Sequence, residues 1–126
     1  MCFDANKRDT KRMFNRKDKL VVAYKIVTSD YQSVAYGGGR NAKVYALDSL
    51  VDSKSKVKRG KKIMAEGIYV YLDKPNSEAL RSNEKVIKVV FLASDVIGVN
   101  RDMARWMGYG TNKLACVRKV KVVQHL

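Results

Sequence analysis

Two short segments rich in β-branched residues constrain the fold of this chain most strongly. Leu20–Thr28 reads LVVAYKIVT and Lys85–Leu92 reads KVIKVVFL, so both are apolar at odd and even positions. Because successive side chains of a strand point to opposite faces, this pattern predicts strands that are covered on both sides. A membrane-spanning helix needs roughly 18 or more apolar residues in a row, and the sequence has no such run. We therefore expect a β-sheet protein that does not span a membrane.

Weaker patterns complete the predicted sheet and add two short helices. Further strands are predicted at Gln32–Tyr36, Ala42–Leu47, Ile63–Leu72 and Lys113–Val123, short helices at residues 74–80 and 101–109, and a turn at Ser94–Gly98. A length of 126 residues fits one domain. The predicted fold class is α+β, with a basic N-terminal arm, residues 1–19, followed by a single domain, residues 20–126. That domain is expected to contain a largely antiparallel, twisted sheet of about six strands.

The positive charge of the chain is large and clustered. Lys and Arg number 26 against 12 Asp and Glu, which gives a formal net charge of +14. The segment Lys54–Lys62 (KSKVKRGKK) holds six cations and no anion, and the arm holds seven more cations. Cations spread over every face would support solubility alone, whereas two basic segments beside a sheet are typical of proteins that bind a polyanion. We therefore predict nucleic acid as the partner.

Tyrosines near the basic segments extend this prediction. Tyr69 and Tyr71 share one face of a predicted strand, where exposed rings can stack on unpaired bases; packing of both rings against the core is the alternative. Arg40 follows Gly37–Gly39, which we interpret as a hairpin turn in preference to a phosphate-binding loop. The predicted nucleic-acid-binding residues are Lys54, Lys56, Lys58, Arg59, Lys61, Lys62, Arg40, Arg12, Arg16, Lys119, Lys121, Tyr69 and Tyr71.

Residues with catalytic or metal-binding chemistry are scarce. The single histidine, His125, is the penultimate residue, and the two cysteines, Cys2 and Cys116, are far apart in sequence. Histidine-dependent catalysis and a zinc site are therefore not expected, and no cofactor is predicted. Two cysteines without a disulfide pattern are compatible with a reducing, cytoplasmic location. We expect a protein that binds its partner and is not an enzyme.

Six short motifs follow one another along the chain: Met1-Cys2, Tyr24-Lys25-Ile26, Gly67-Ile68-Tyr69-Val70, Glu78-Ala79, Asp95-Val96-Ile97-Gly98 and Arg118-Lys119-Val120. In this order they resemble a loose group of small accessory proteins from tailed phages and prophages. Tyr69 stands where that group often has a histidine. The resemblance implies an accessory protein that acts in the cytoplasm of a bacterial host, and it assigns no activity.

Three functions are compatible with these features. The first is binding of nucleic acid, or of a host complex that contains nucleic acid. The second is inhibition of a host protein, such as a defence component, through an acidic surface on that protein. The third is an enzyme similar to ADP-ribosyltransferases, which the Gly67-Ile68-Tyr69 strand resembles, with Glu66 or Glu78 as the glutamate to test. An exposed edge strand would allow a homodimer, and the sequence leaves the oligomeric state open.

Overall fold

The computed structural model describes residues 2–3, 5–32, 44–54, 63–64, 67–75, 80–100 and 113–126. In chain order these contain β1 (Cys2–Phe3), α1 (Lys7–Phe14), β2 (Leu20–Thr28), β3 (Leu50–Asp52), β4 (Ile63–Met64), β5 (Ile68–Tyr71), β6 (Glu84–Leu92), a 3-10 turn (Ala93–Asp95), β7 (Val96–Asn100), β8 (Leu114–Val117) and β9 (Lys119–His125). No helix in this part of the chain is both long enough and apolar enough to cross a membrane.

Most of the strands join one antiparallel sheet. Seven strands pair in the order β3-β9-β6-β2-β5-β8-β7, and β1 pairs separately with β4. The longest pairing joins β2 and β6, from Leu20 opposite Leu92 to Thr28 opposite Glu84. The prediction of a largely antiparallel sheet is confirmed, and α1 beside it agrees with the α+β class, although the main sheet has seven strands. Most of the two predicted helices lies outside the described residues.

The predicted hairpin around Gly37–Gly39 is described only at its base. Gln32 and Val44 form an isolated antiparallel bridge, and the Tyr45 N–H donates to the Tyr31 carbonyl oxygen (2.8 Å). The two ends of the predicted hairpin are therefore paired, while the glycines themselves lie outside the described residues.

One residue, Arg118, divides the last predicted strand into two. β8 ends at Val117 and pairs with β5 and β7, whereas β9 begins at Lys119 and pairs with β6 and β3. Val117, the last residue of β8, and Lys119, the first residue of β9, flank Arg118, so their Cα atoms are at most about 7 Å apart. In the order of the sheet, however, three strands lie between β8 and β9. The sheet must therefore curl into a ring, β8-β5-β2-β6-β9, that closes at Arg118. The prediction of one continuous strand, Lys113–Val123, is wrong because the chain turns a corner there.

The inward face of the ring forms the main core. Alternate residues of three neighbouring strands contribute to it, and they are Val21, Ala23, Val27, Ile87, Val89, Phe91, Val120 and Val122. A second cluster lies on the outward face around β5 and β8, and its buried members are Ile26, Tyr69, Tyr71, Val86, Ile97, Leu114 and Cys116. β2 and β6 contribute to both clusters, which explains why their sequences are apolar at both odd and even positions.

Helix α1 covers the edge strand β7. The Asn6 N–H donates to the Val99 carbonyl oxygen (2.7 Å), and the Val99 N–H donates to Thr10 Oγ1 (3.0 Å). The Asn6 side chain caps the helix by accepting from the Asp9 N–H (3.0 Å). These bonds satisfy backbone groups of an otherwise open sheet edge, and they hold the helix of the basic arm in a defined position on the domain.

Candidate nucleic-acid interface

Helix α1 turns its cations outward. Its buried residues, Asp9, Thr10 and Met13, lie on the side that packs against β7. The exposed cations of the helix and of the turn after it are Lys7, Arg8, Lys11, Arg12, Arg16 and Lys17. Like charges four residues apart weaken an isolated helix by about 0.2–0.5 kcal/mol per pair, so packing against β7 has to offset this repulsion. An anionic partner would relieve it.

A groove lies between α1 and the ends of β5 and β8. Its cavity volume is about 120 Å³, and its exposed lining consists of Arg12, Arg16 and Lys113, which we call the basic groove. The Leu72 N–H donates to the Lys113 carbonyl oxygen (3.0 Å) and thereby fixes the backbone of Lys113. The remaining lining residues are the buried Asp9, Met13 and Val99 and the half-buried Leu72. Asp9 places one buried carboxylate beside the three cations, and the net positive charge beside apolar carbon is suited to a phosphate and the sugar attached to it.

The turn after α1 is tied to the 3-10 turn by two backbone hydrogen bonds. The Ser94 N–H donates to the Lys17 carbonyl oxygen (3.1 Å), and the Ala93 N–H donates to the Lys19 carbonyl oxygen (3.0 Å). The cations that follow the helix therefore lie directly beside the end of β6.

The same 3-10 turn is also tied to the corner of the ring. The Arg118 N–H donates to the Asp95 carbonyl oxygen (2.9 Å), and the Arg118 carbonyl oxygen accepts from the Ser53 N–H (2.8 Å) and from Ser53 Oγ (2.7 Å). Lys54, the first residue of the basic segment Lys54–Lys62, follows Ser53 directly. The backbones of five cationic residues thus lie around one turn, and we call these residues the basic end: Lys17, Lys19, Lys54, Arg118 and Lys119.

Carboxylates lie at the basic end as well. They are Asp18, Asp52 and Asp95, so the five cations outnumber the carboxylates there. Asp52 Oδ1 accepts the Lys54 N–H (2.7 Å), and Asp52 is paired in register with Lys119 on β9. Asp52 therefore fixes the backbone of Lys54 directly after β3.

The structure brings together part of the predicted binding set. Arg12 and Arg16 line the basic groove, Lys54 and Lys119 lie at the basic end, and Lys121 lies two residues further along β9. The other predicted cations, Arg40, Lys56, Lys58, Arg59, Lys61 and Lys62, lie outside the described residues.

The prediction that Tyr69 and Tyr71 stack on bases is wrong. Tyr69 is 9 % exposed and Tyr71 is 4 % exposed, and they lie opposite Cys116 and Leu114 of β8. Because the outward face of β5 is covered by the second apolar cluster, neither ring has a free surface for a base. The packing alternative describes both tyrosines.

Lys25 is a cation that points into the ring and not toward a partner. Its side chain is 6 % exposed, its Nζ donates to the Tyr69 carbonyl oxygen (2.8 Å), and Nζ lies 5.4 Å from the centre of the Tyr45 ring. Burial lowers the pKa of Lys25 to about 8, although attraction to Cys116 opposes that shift. Burial also raises the pKa of the Cys116 thiol to about 12 and the pKa of the Tyr45 hydroxyl above its usual range. Lys25 therefore belongs to the interior.

Sequence reasoning did not single out Lys113 and Arg118, and it included Lys17 and Lys19 only as part of the basic arm. Their charge is visible in the sequence, but their proximity depends on backbone hydrogen bonds between distant segments. The one usable signal was Arg118, which interrupts the apolar alternation of the last strand pattern.

Comparison with known proteins adds no constraint on these assignments. No family model, curated protein or solved structure matches the chain. Within the described ranges, no group of three or more His, Cys, Asp or Glu side chains is placed to hold a metal ion.

Proposed function

We propose that this protein binds nucleic acid through the basic groove and the basic end, and that it acts by binding and not by catalysis. The observation that supports the proposal is that backbone hydrogen bonds bring cationic residues from distant segments together at one 3-10 turn. Lys17 and Lys19 come from the arm, Arg118 from the corner of the ring, and Lys54 from the start of the basic segment.

Such a cluster is unfavourable for the protein alone, because like charges held close together repel one another. A phosphate backbone is attracted by the same cations, and its binding is also favoured by the release of the counterions condensed on the nucleic acid. The basic groove adds arginines, which bind phosphate oxygens with paired hydrogen bonds. The exposed side chains of the basic groove are all Arg or Lys, and contacts to phosphate carry no sequence information, so we expect weak sequence preference.

The resemblance to phage accessory proteins leads us to propose nucleic acid of a bacterial host, free or within a host complex, as the partner. The site would then operate in the host cytoplasm. The glutamates of the enzymatic alternative, Glu66 and Glu78, lie outside the described residues.

Fluorescence anisotropy with labelled single- and double-stranded DNA and RNA tests the proposal. If four to six phosphates are neutralised, the logarithm of the affinity should fall with the logarithm of salt concentration at a slope of roughly −3.5 to −5.5. The variant Arg12→Gln/Arg16→Gln should make that slope shallower by about two and weaken binding by about tenfold or more at moderate salt.

Arg81→Gln/Lys85→Gln is the matched control, because it removes the same charge from two exposed residues at the far end of β6. A nine-residue strand places them about 27 Å from the 3-10 turn. We expect a clearly smaller loss of affinity for the control. Equal losses in both variants, salt-independent binding or no binding to any of the four probes would contradict the proposal.

A further inference from the structure

The outward face of β3, β9, β6 and β2 carries exposed aliphatic side chains. Leu50, Val90 and Val22 lie in one row across these strands, and Leu20 and Leu92 form the neighbouring pair on β2 and β6. Leu20 and Leu50 are each 64 % exposed, Val22 is 44 % exposed and Leu92 is 37 % exposed. We call these five residues the aliphatic face.

The same outward face is covered elsewhere on the sheet. Around β5 and β8 it buries Tyr69, Tyr71, Leu114 and Cys116, and Ala5 and Leu80 pack against that cluster. Exposed aliphatic residues on the outward face are therefore concentrated on β2, β3 and β6. Adjacent exposed Leu and Val residues in register are typical of an interaction surface, whereas single exposed apolar residues are ordinary.

Charge on and beside the aliphatic face is mainly positive. Lys121 lies in the same row, directly between Leu50 and Val90, and Lys88 lies opposite Gln124 on the same outward side of β6. We propose that the aliphatic face binds a protein segment that presents apolar side chains among Asp and Glu. Each Leu that becomes buried in such a contact favours binding, and the acidic residues pair with Lys121 and Lys88.

The chemistry of the face favours an acidic protein over two other occupants. Aliphatic side chains provide no aromatic surface for stacking, which contributes at each base to the binding of single-stranded nucleic acid. A second copy of this chain would meet the face through a two-fold axis, so that Lys121 and Lys88 face an identical lysine-bearing surface. The net charge of +14 adds further repulsion between copies.

The test uses a synthetic helical peptide with Leu along one side and Glu along the other, titrated into the isotope-labelled full-length protein. The same peptide with Lys in place of Glu is the charge control. We expect the Glu peptide to bind and to shift the amide signals of Val22, Leu50 and Val90, and the Lys peptide to bind about tenfold more weakly or not at all. Leu20→Ser/Leu50→Ser should lower the affinity for the Glu peptide by about tenfold or more.

Leu47→Ser/Leu126→Ser is the matched control, since Leu47 is 53 % exposed and Leu126 is 46 % exposed outside the aliphatic face. It should leave the affinity for the Glu peptide unchanged. No binding of the Glu peptide, equal losses in the two double variants, or signal shifts confined to α1 would overturn the proposal. A dimer in light scattering that Leu20→Ser/Leu50→Ser dissociates would assign the face to a second copy and overturn it as well.

This inference does not depend on the proposed nucleic-acid site. The aliphatic face and the basic groove share no residue, so a failure of peptide binding can be distinguished from a failure of nucleic-acid binding. Leu20→Ser/Leu50→Ser should bind nucleic acid like the wild-type protein, and Arg12→Gln/Arg16→Gln should bind the Glu peptide like the wild-type protein.

Discussion

The ammonium group of Lys25 donates a 2.8 Å hydrogen bond to the carbonyl oxygen of Tyr69 inside the ring of strands. The bond joins the middle of β2 to β5, and it places a positive charge in an apolar interior. Burial disfavours that charge, which is why the pKa of Lys25 falls from 10.5 to about 8.

The first prediction concerns how stability depends on pH. Between pH 8 and pH 10.5 the unfolded chain binds more protons at Lys25 than the folded chain, so the free energy of unfolding rises with pH in this window. Below pH 8 the cost of the buried charge is fully present. We therefore compare the free energy of unfolding of Lys25→Met with that of the wild type at two pH values. The variant minus wild-type difference should be about 2 kcal/mol more positive at about pH 6.5 than at about pH 9.5.

Urea unfolding at the two pH values measures this difference, and Lys121→Met is the control because Lys121 is exposed on β9. A relative stability of Lys25→Met that does not change with pH would contradict the assignment. A change of the same size in Lys121→Met would contradict it too.

The second prediction concerns Gly67, which precedes β5 with a φ of 109°. A Cβ at this position would lie 2.5 Å from Cys116 Sγ and 3.3 Å from the Val117 carbonyl oxygen. Gly67→Ala should lower the free energy of unfolding by about 2–4 kcal/mol, through backbone strain and steric overlap together. In a Cys116→Ala background the same substitution should cost less, because only part of the overlap remains. If Gly67→Ala lowers the free energy of unfolding equally in the two backgrounds, overlap with Cys116 Sγ is excluded as a cause of the destabilisation.

The third prediction concerns the link between α1 and the sheet edge. Thr10→Val keeps the shape of the side chain but removes the acceptor for the buried Val99 N–H, so it should destabilise the fold by about 1–3 kcal/mol. Thr10→Ser keeps the hydroxyl and should cost clearly less. If both variants unfold at the same urea concentration, the hydrogen bond does not stabilise this edge.

The fourth prediction tests whether the basic groove acts as one site. If Arg12 and Lys113 contact the same phosphate, neutralising one should reduce the effect of neutralising the other. Anisotropy measurements on Arg12→Gln, Lys113→Gln and the double variant give the coupling between them. Strictly additive losses would mean that the two residues contact separate phosphates or act only through net charge.

Local sequence pattern predicted the central part of the fold well. Leu20–Thr28 forms a strand with the predicted bounds, because a segment that is apolar on both faces has few other stable environments. Lys113–Val123 was harder, since its apolar content is continuous and the corner at Arg118 is set by Asp95 and Ser53, which lie far away in sequence.

The candidate site was predictable in charge but not in arrangement. Clustering in the sequence identified Arg12 and Arg16, which do line one groove. The alternation of Tyr69 and Tyr71 cannot reveal which face of a strand becomes covered. The burial of Lys25 could not be predicted from the sequence either. A lysine within an apolar segment more commonly extends to solvent than lies buried beside a backbone carbonyl.

The corner at Arg118 has a consequence for synthesis in the cell. β8 and β9 supply the strands that close the ring, and they come from the last part of the sequence that the structure describes. During translation, β5 therefore lacks its partner β8 until residue 117 has left the ribosome, and β6 lacks its partner β9 until residue 125 has left it. Closure is a late, non-local step, so a nascent chain stalled before β8 would display unpaired strand edges and would require chaperone protection against aggregation.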